Sequence, residues 1–323
     1  MCTAITFHTK DHYFGRNLDF EHGYREAVTI TPRQYLFKFH YLPPMPLHYA
    51  MIGMATVEQD YPLYYDATNE HGLSMAGLYF PVSAKYMEQV SGKDNLAAYE
   101  LIPWILGSCK SVSEAIGKLT NVNLVALDFS PEYPASPLHW IVADASKAVT
   151  VEPMGSGLHI YENQVGVLTN EPPFDYHITN LHNYLNVTSQ EPENRFAPAL
   201  YLEPYSRGMG GIGLPGDLSS PSRFIKAAFT KMNSVSHNTE SASISQVFHI
   251  LGSVAQTQGC VHVGKMYEKT IYTSCCNITK GIYYYTTYEN SQITGVKLHG
   301  VDLDTDRLTS YPLVEGQQIR MEN

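Results

Sequence analysis

The chain has 323 residues and is 44% hydrophobic, enough for a large buried core, and this length fits two domains or one large α/β domain. A formal net charge of −10 repels phosphate backbones, so nucleic acid is not an expected partner. The opening Met-Cys-Thr-Ala-Ile-Thr carries neither the basic nor the apolar region of a signal peptide, and no stretch reaches the roughly 18 apolar residues of a membrane span, so the expectation is a cytoplasmic chain without membrane insertion.

Residues 2–8 and 13–18 read as two strands around the polar turn Thr9-Lys10-Asp11-His12. Residues 26–31 and 35–39 form a second predicted pair, separated by Pro32-Arg33. Residues 95–109 have a helical pattern in which Pro103 must sit near a start or a kink. Residues 112–119 follow a capping box, Ser111 with Glu114 three positions on. Strand patterns return at 138–152 and 164–169. Helices are predicted at 222–235, opened by Ser222, and at 243–257, opened by Ser243. The end is β again, at 270–276, 281–288 and 292–298, with Thr279-Lys280-Gly281 as a hairpin turn. No linker-like run or internal repeat divides the sequence, so residues 2–323 read as one domain. Strands at both termini with helices between them argue for antiparallel sheets covered by helices, an α+β class.

The five cysteines (2, 109, 260, 275 and 276) are odd in number and irregular in spacing, which suits free thiols in a reducing compartment. Gly208-Met209-Gly210-Gly211-Ile212-Gly213 matches a dinucleotide fingerprint literally, but no buried strand precedes it and Leu214-Pro215-Gly216 follows, so it reads as a loop. Ser74 nearly fits a nucleophile elbow, yet the final Gly is displaced to position 77. The fourteen histidines form no HExxH-type pair, so no metal site is expected.

Cys2 stands apart. Removal of Met1 would leave a thiol and a free α-amine on one residue. An α-amino group titrates near ~7.7–8.0 and can act as a base near neutrality. A thiol near ~8.5 needs only a modest push to become the nucleophilic thiolate. One residue thus supplies nucleophile and base. The bland alternative is a small apolar residue at a frayed terminus. Arg16 and Asp19 on the neighbouring strand favour chemistry, since a guanidinium stabilises a thiolate and a carboxylate orients an amine. Residues 16 and 19 face opposite sides of a regular strand, so both reach Cys2 only if the strand turns or bulges near Asn17.

MCTAITF, YFGRNLDFE, NEHGLSMAGL, GVLTNEPPFDY and GLPGDLSSPSRF, in that order, resemble the choloylglycine hydrolase family, which contains bile salt hydrolases and penicillin V acylases. The resemblance runs from Cys2 to about residue 300 and implies a four-layer αββα sandwich of the N-terminal nucleophile hydrolase type. It also implies a bacterial homotetramer without metal or cofactor, acting on a small amphipathic amide. By position it makes Cys2 the nucleophile, Arg16 the support of its thiolate and Asp19 the holder of the terminal amine. Asn170 becomes an oxyanion donor, Tyr79 (in GLYFP) the second through its backbone N–H, and Arg223 completes the charged cluster. From the residues alone, Asn170 could equally sit in an ordinary turn, and Arg223 could pack on Phe224 or pair with Asp217. Phe20, Tyr24, Phe80 and Leu138 are candidate pocket walls or plain core. The resembling bile salt hydrolases carry Asn in the Tyr79 slot and the penicillin V acylases carry Tyr, whereas YYDATNEHGLSMAG and YSRGMGGIGLPGDLSS fit the bile salt group. Ser206-Arg207-Gly208 matches the loop version associated with glycine over taurine conjugates.

Overall fold

A computed structural model describes residues 1–323. In chain order the first half contains β1 (Cys2–His8), β2 (His12–Phe20), β3 (Ala27–Thr31), β4 (Met51–Glu58), β5 (Tyr61–Asn69), β6 (Ser74–Tyr79) and β7 (Asp94–Ala97). Helices α1 (Leu101–Ser108) and α2 (Val112–Leu119) follow, then β8 (Val122–Val125), β9 (Leu138–Ala143), β10 (Ala148–Met154), β11 (Gly157–Glu162) and β12 (Val167–Leu168). The second half holds α3 (Phe174–Leu181), α4 (Ser220–Asn233), α5 (Glu240–Gly252), β13 (Val261–Val263), β14 (Met266–Asn277), β15 (Ile282–Thr287), β16 (Thr294–Lys297) and β17 (Thr309–Pro312).

Two large antiparallel sheets face each other. One runs β12-β1-β2-β14-β15-β16, with β13 extending β14; the other runs β11-β10-β9-β6-β5-β4-β3-β17. Strand alternation assigns their faces. On β4, Met51 and Ala55 pack with α1 and α2, whereas Ile52 and Met54 join the core between the sheets. On β9, Trp140 and Val142 turn to the helices and Ile141 and Ala143 turn inward. Helices α4 and α5 cover the outer face of the first sheet, through Phe224, Ala227, Val247 and Leu251. The result is the αββα layering. Close packing is visible at Gly15 on β2, where a Cβ would lie 2.4 Å from the Ser274 carbonyl and 3.2 Å from Leu251 of α5.

Several predicted elements shift. Residues 35–39 form no strand: Tyr35, Phe37 and Phe39 are buried, but both edges of β3 are already taken by β4 and β17, leaving only an isolated Phe37–Met45 bridge. The helix predicted from 95 begins at Leu101, because residues 94–97 pair in parallel with β8; Pro103 falls in the first turn. The 138–152 pattern is a hairpin broken where Asp144 Oδ1 accepts from the Ser146 and Lys147 N–H groups. Helix α4 starts at Ser220 rather than 222, since Ser222 donates to Asp217 instead of capping. Helix α5 starts at Glu240, capped by Thr239. Cys275 and Cys276 lie buried on β14, and residues 208–213 form a short 3-10 turn between loops. No helix is long and apolar enough to cross a membrane.

Candidate active site

Cys2 opens β1 and is 4% exposed. Its strand pairs with β2 on one edge, placing Leu18 opposite Cys2, and with β12 on the other, where Ala4 faces Leu168. Continued by two residues, that second register brings Asn170 alongside Cys2, and the Cys2 N–H donates to Asn170 Oδ1 at 2.8 Å. In this chain Met1 is still attached, so that nitrogen is a peptide N–H.

Every polar atom of Asn170 is engaged. Its N–H donates to Ser220 Oγ at 2.8 Å, and its carbonyl lies 3.0 Å from His177 Nε2. Oδ1 also accepts from Arg223 Nη2 at 2.7 Å. Nδ2 donates to the Tyr79 carbonyl at 2.7 Å and keeps a second hydrogen. The Phe80 N–H donates to the Pro137 carbonyl across the β6–β9 ladder, so the alternation of an antiparallel pair turns the Tyr79 N–H away from β9. That is the side from which Asn170 reaches the Tyr79 carbonyl.

Arg223 lies on the first turns of α4 with no exposed surface. Its Nη1 donates to the Cys2 carbonyl and, at 2.6 Å, to Thr3 Oγ1; Nε holds the Leu218 carbonyl at 3.0 Å. Neither the stack on Phe224 nor the pair with Asp217 is its principal partner. Nη1 is also 3.9 Å from Asp19 Oδ2, an oxygen with no hydrogen-bond partner, while Asp19 Oδ1 accepts from Thr270 at 2.6 Å. Burial pushes the Asp19 carboxyl up, opposed by Arg223 and the N-terminal ammonium. Burial lowers Arg223, with Asp19 opposing. The Met1 ammonium donates to Glu268 at 2.6 Å and to the Asp19 carbonyl at 2.7 Å. Burial raises Glu268 as well, against the ammonium beside it.

Arg16 is fully buried on the opposite face of β2, between the sheets. Its Nη1 donates to the Tyr65 and Gly77 carbonyls, both at 2.9 Å, spanning the gap where β5 and β6 cease to pair. Burial works against its charge, but Cys2 first, then Tyr272, Asp66 and Tyr283, hold the guanidinium above its ordinary value. Its Nη2 has no hydrogen-bond partner. The bulge expected near Asn17 is not in β2. β2 pairs regularly with β1, and the irregularity lies at Ile271 of β14, which lets Thr270 rather than Ile271 sit opposite Asp19. Arg16 and Asp19 therefore stay on opposite faces; the Cys2 side chain shares the Arg16 face, and Asp19 is joined to Cys2 through Arg223 Nη1, which donates to the Cys2 carbonyl.

Among the candidate pocket walls, Phe20 and Tyr24 are half-buried with rings 5.6 Å apart, and Tyr133 adds a third ring 6.3 Å from Tyr24. Leu138 is half-buried opposite Tyr79, whose side chain is 41% exposed. Phe80 is fully buried and stacked on His139 at 4.2 Å, so it supports the site from beneath and presents no open face. A cavity of about 490 Å³ lies at the other end of β1 and β2, lined by His8, His12, Asp144 and Lys231, and touches none of the candidate site residues.

Four residues near the site were not found in the sequence: Glu268, His177, His139 and Glu152. The available signal was a polar side chain inside an otherwise apolar strand, as in LHWIVA and AVTVEPM.

Chemically, the cluster offers a buried thiol on the same face as a fixed guanidinium, a nitrogen on the same residue, a carboxylate oxygen without a hydrogen-bond partner, and two neighbouring N–H groups, one on Asn170 Nδ2 and one on the Tyr79 main chain. That set suits acyl transfer through a tetrahedral oxyanion.

Residues 2–311 match the model of the linear amide C–N hydrolases, choloylglycine hydrolase family. The chain is 53% identical over 315 residues to a bile salt hydrolase/transferase of Lactiplantibacillus plantarum, covering 97% of each. It is 37% identical over 318 residues to the bile salt hydrolase/transferase of Clostridium perfringens, covering 96% of each. A solved conjugated bile acid hydrolase variant from Clostridium perfringens superposes over 100% of both chains with a TM-score of 0.92 at 35% identity. The penicillin V acylase of Agrobacterium tumefaciens shares the fold, with a TM-score of 0.77 at 17% identity over 98% of this chain and 95% of that one.

Proposed function

Since this chain belongs to the choloylglycine hydrolase family, and is thus a linear amide C–N hydrolase, we propose that it cleaves glycine- and taurine-conjugated bile salts to free bile acid and amino acid. The observation that carries the proposal is the Asn170 amide, which touches both the Cys2 nitrogen and the Tyr79 carbonyl and so ties the nucleophile to the second donor.

In this reading Met1 is removed, and the whole of residues 2–323 works as one catalytic unit. The Cys2 thiolate, supported by Arg16, attacks the amide carbonyl and forms a C–S bond. The carbonyl electron pair moves to oxygen, which receives the free Asn170 Nδ2 hydrogen and the Tyr79 N–H. Such donors are worth roughly 10²–10³ in rate apiece. The intermediate collapses, the C–N bond breaks, and the Cys2 α-ammonium protonates the leaving amine. Water then attacks the thioester with the amine as base, releasing the acid and restoring the thiolate. Asp19 Oδ2 is the carboxylate oxygen available to hold that amine, and Arg223 fixes the Cys2 carbonyl and Asn170 together.

Two observations support neighbouring readings. Tyr79 is a partly exposed phenol in the rim position, which offers a stacking face for a phenoxyacetyl group and favours penicillin V as an alternative substrate. The relatives are named hydrolase/transferase, and a thioester here could pass its acyl group to an amine in place of water. Phe20, Tyr24, Leu138 and Tyr133 would contact the acyl group. The family resemblance supports a homotetramer, and the exposed Leu185, Phe196, Tyr201 and Tyr205, all within residues 185–205, would be candidates for an interface between copies. We place the enzyme in the bacterial cytoplasm.

Turnover of glycocholate, taurocholate and penicillin V by protein with a mass-verified N-terminus tests the proposal. Bile-salt cleavage by the Met1-free form alone is expected. Cleavage by a form retaining Met1 would remove the role of the α-amine, and no cleavage with tight bile-acid binding would make the chain a binder.

A further inference from the structure

Beneath the two oxyanion donors lies a buried pair the mechanism does not use. His139 Nδ1 is 3.0 Å from Glu152 Oε1, and His139 Nε2 is 3.0 Å from the Thr169 carbonyl; both side chains have no exposed surface. A carbonyl oxygen can only accept, so Nε2 must be the protonated nitrogen there. Glu152 also accepts the Phe174 N–H, at 3.0 Å to Oε1 and 3.2 Å to Oε2. The pair therefore holds one proton between Nδ1 and Oε1, as imidazolium–carboxylate or as imidazole–carboxylic acid. In either form the ring donates to Thr169.

The contacts of this ring fall on the chain neighbours of both donors. Thr169 precedes Asn170 in the chain. Phe80, stacked on the ring at 4.2 Å with planes 6° apart, follows Tyr79. Through Glu152 the pair also pins the first residue of α3, the helix whose His177 holds the Asn170 carbonyl. One imidazole thus links the segments that carry the Asn170 amide and the Tyr79 N–H, from beneath. Ser220 and His177 reach Asn170 and not β6, while Glu171 ties the same segment to the Val82 and Ser83 N–H groups, both at 2.8 Å, beyond the end of β6.

The geometry points to His139, held by Glu152, as a positioning residue for the oxyanion site, acting on the transition state and not on the thiol. This rests on the reading of Asn170 and Tyr79 as the oxyanion donors. A displacement of about 1 Å at such a site costs on the order of 10²-fold in rate.

The test compares His139→Asn, whose amide can still meet Glu152 but falls short of Thr169, with His139→Gln, whose longer amide can reach Thr169. Asn170→Ala is measured alongside. Each is assayed for kcat and KM on glycocholate and for alkylation of Cys2 by iodoacetamide, read on the N-terminal peptide by mass spectrometry. The expected result for His139→Asn is a kcat lowered roughly 10–100-fold with KM and alkylation rate unchanged, and most of the loss recovered in His139→Gln. If kcat and alkylation fall together, or kcat holds while Asn170→Ala loses it, the positioning role is overturned. If Asn170→Ala itself keeps full kcat, the oxyanion reading fails and this one with it. Should His139→Asn not fold, His139→Leu combined with Glu152→Met takes its place, because removing both members of a buried hydrogen-bonded pair strands neither. The same kcat loss is then expected, and a normal kcat overturns the proposal.

Discussion

Arg223 Nη2 lies 2.7 Å from Asn170 Oδ1, and this contact determines which end of the Asn170 amide faces Tyr79. A guanidinium only donates, so the amide oxygen must turn to it and the nitrogen must turn to the Tyr79 carbonyl. Asn170→Asp keeps the shape and the Arg223 contact but sets a second oxygen against that carbonyl. The expected outcome is a kcat on glycocholate lowered by roughly 10²–10³, the worth of one oxyanion donor, with an intact near-UV circular dichroism spectrum. Steady-state kinetics decide it. A loss below about threefold would place the oxyanion elsewhere.

Arg16 joins two functions in one side chain, since it closes the gap between β5 and β6 and faces Cys2. Arg16→Met should leave the Tyr65 and Gly77 carbonyls without their donor and Asp66 without its nearest cation. Asp66 keeps Tyr272 and Tyr283 hydroxyl donors at 2.7 and 2.8 Å, which limits the damage. A loss of about 2–3 kcal/mol in urea unfolding is expected, below the usual cost of stranding a buried charge. Cys2 alkylation at neutral pH should slow by an order of magnitude or so as the thiolate loses its cation. Unchanged alkylation would reduce Arg16 to a structural brace.

The first hairpin, the capping box and the terminal strands were legible because each is a local pattern: alternation, a cap, a turn. The candidate site was legible for a different reason. Cys2, Arg16 and Asp19 lie on one hairpin, and the motif match supplied Tyr79, Asn170 and Arg223. What stayed hidden depends on partners far along the chain. The bulge that serves Asp19 lies 252 positions away at Ile271, visible only once β2 and β14 are paired. The segment 35–39 has real strand alternation but no free edge to join. His139 and Glu152 look like misplaced polar residues until β9 and β10 lie side by side and Thr169 closes over them.

Tyr79 can be exchanged with little effect on the main chain, because it meets Asn170 through its main-chain carbonyl while the residue is 41% exposed. Tyr79→Asn substitutes a side-chain hydrogen-bond donor for a ring. The ratio of kcat/KM for glycocholate over penicillin V should rise roughly fivefold, the equivalent of one net hydrogen bond of about 1 kcal/mol. Competition assays with both substrates measure that ratio directly. An unchanged ratio would mean that the phenol does not contact the acyl group.

His177 links the site to acid sensitivity. Its Nε2 lies 3.0 Å from the Asn170 carbonyl, its Nδ1 has no partner, and its ring stacks on Phe224 at 4.7 Å. Burial first, with His139 and Arg223 adding to it, lowers the imidazole to about 4, although the bond to Asn170 opposes this. The neutral ring with hydrogen on Nε2 is therefore the folded form. In the unfolded chain the same group titrates near its ordinary 6.5. Between those two values the unfolded state binds the extra proton, so stability falls as pH drops from 6.5 toward 4 and is unaffected by this group above 6.5. The full effect is on the order of 3 kcal/mol. His177→Gln can keep a donor to the Asn170 carbonyl without titrating. Its urea-unfolding free energy should lie within about 1 kcal/mol of the parent at pH 7 and decline less steeply than the parent between pH 6.5 and 4.5. Parallel declines in the two proteins would show that some other group carries the acid response.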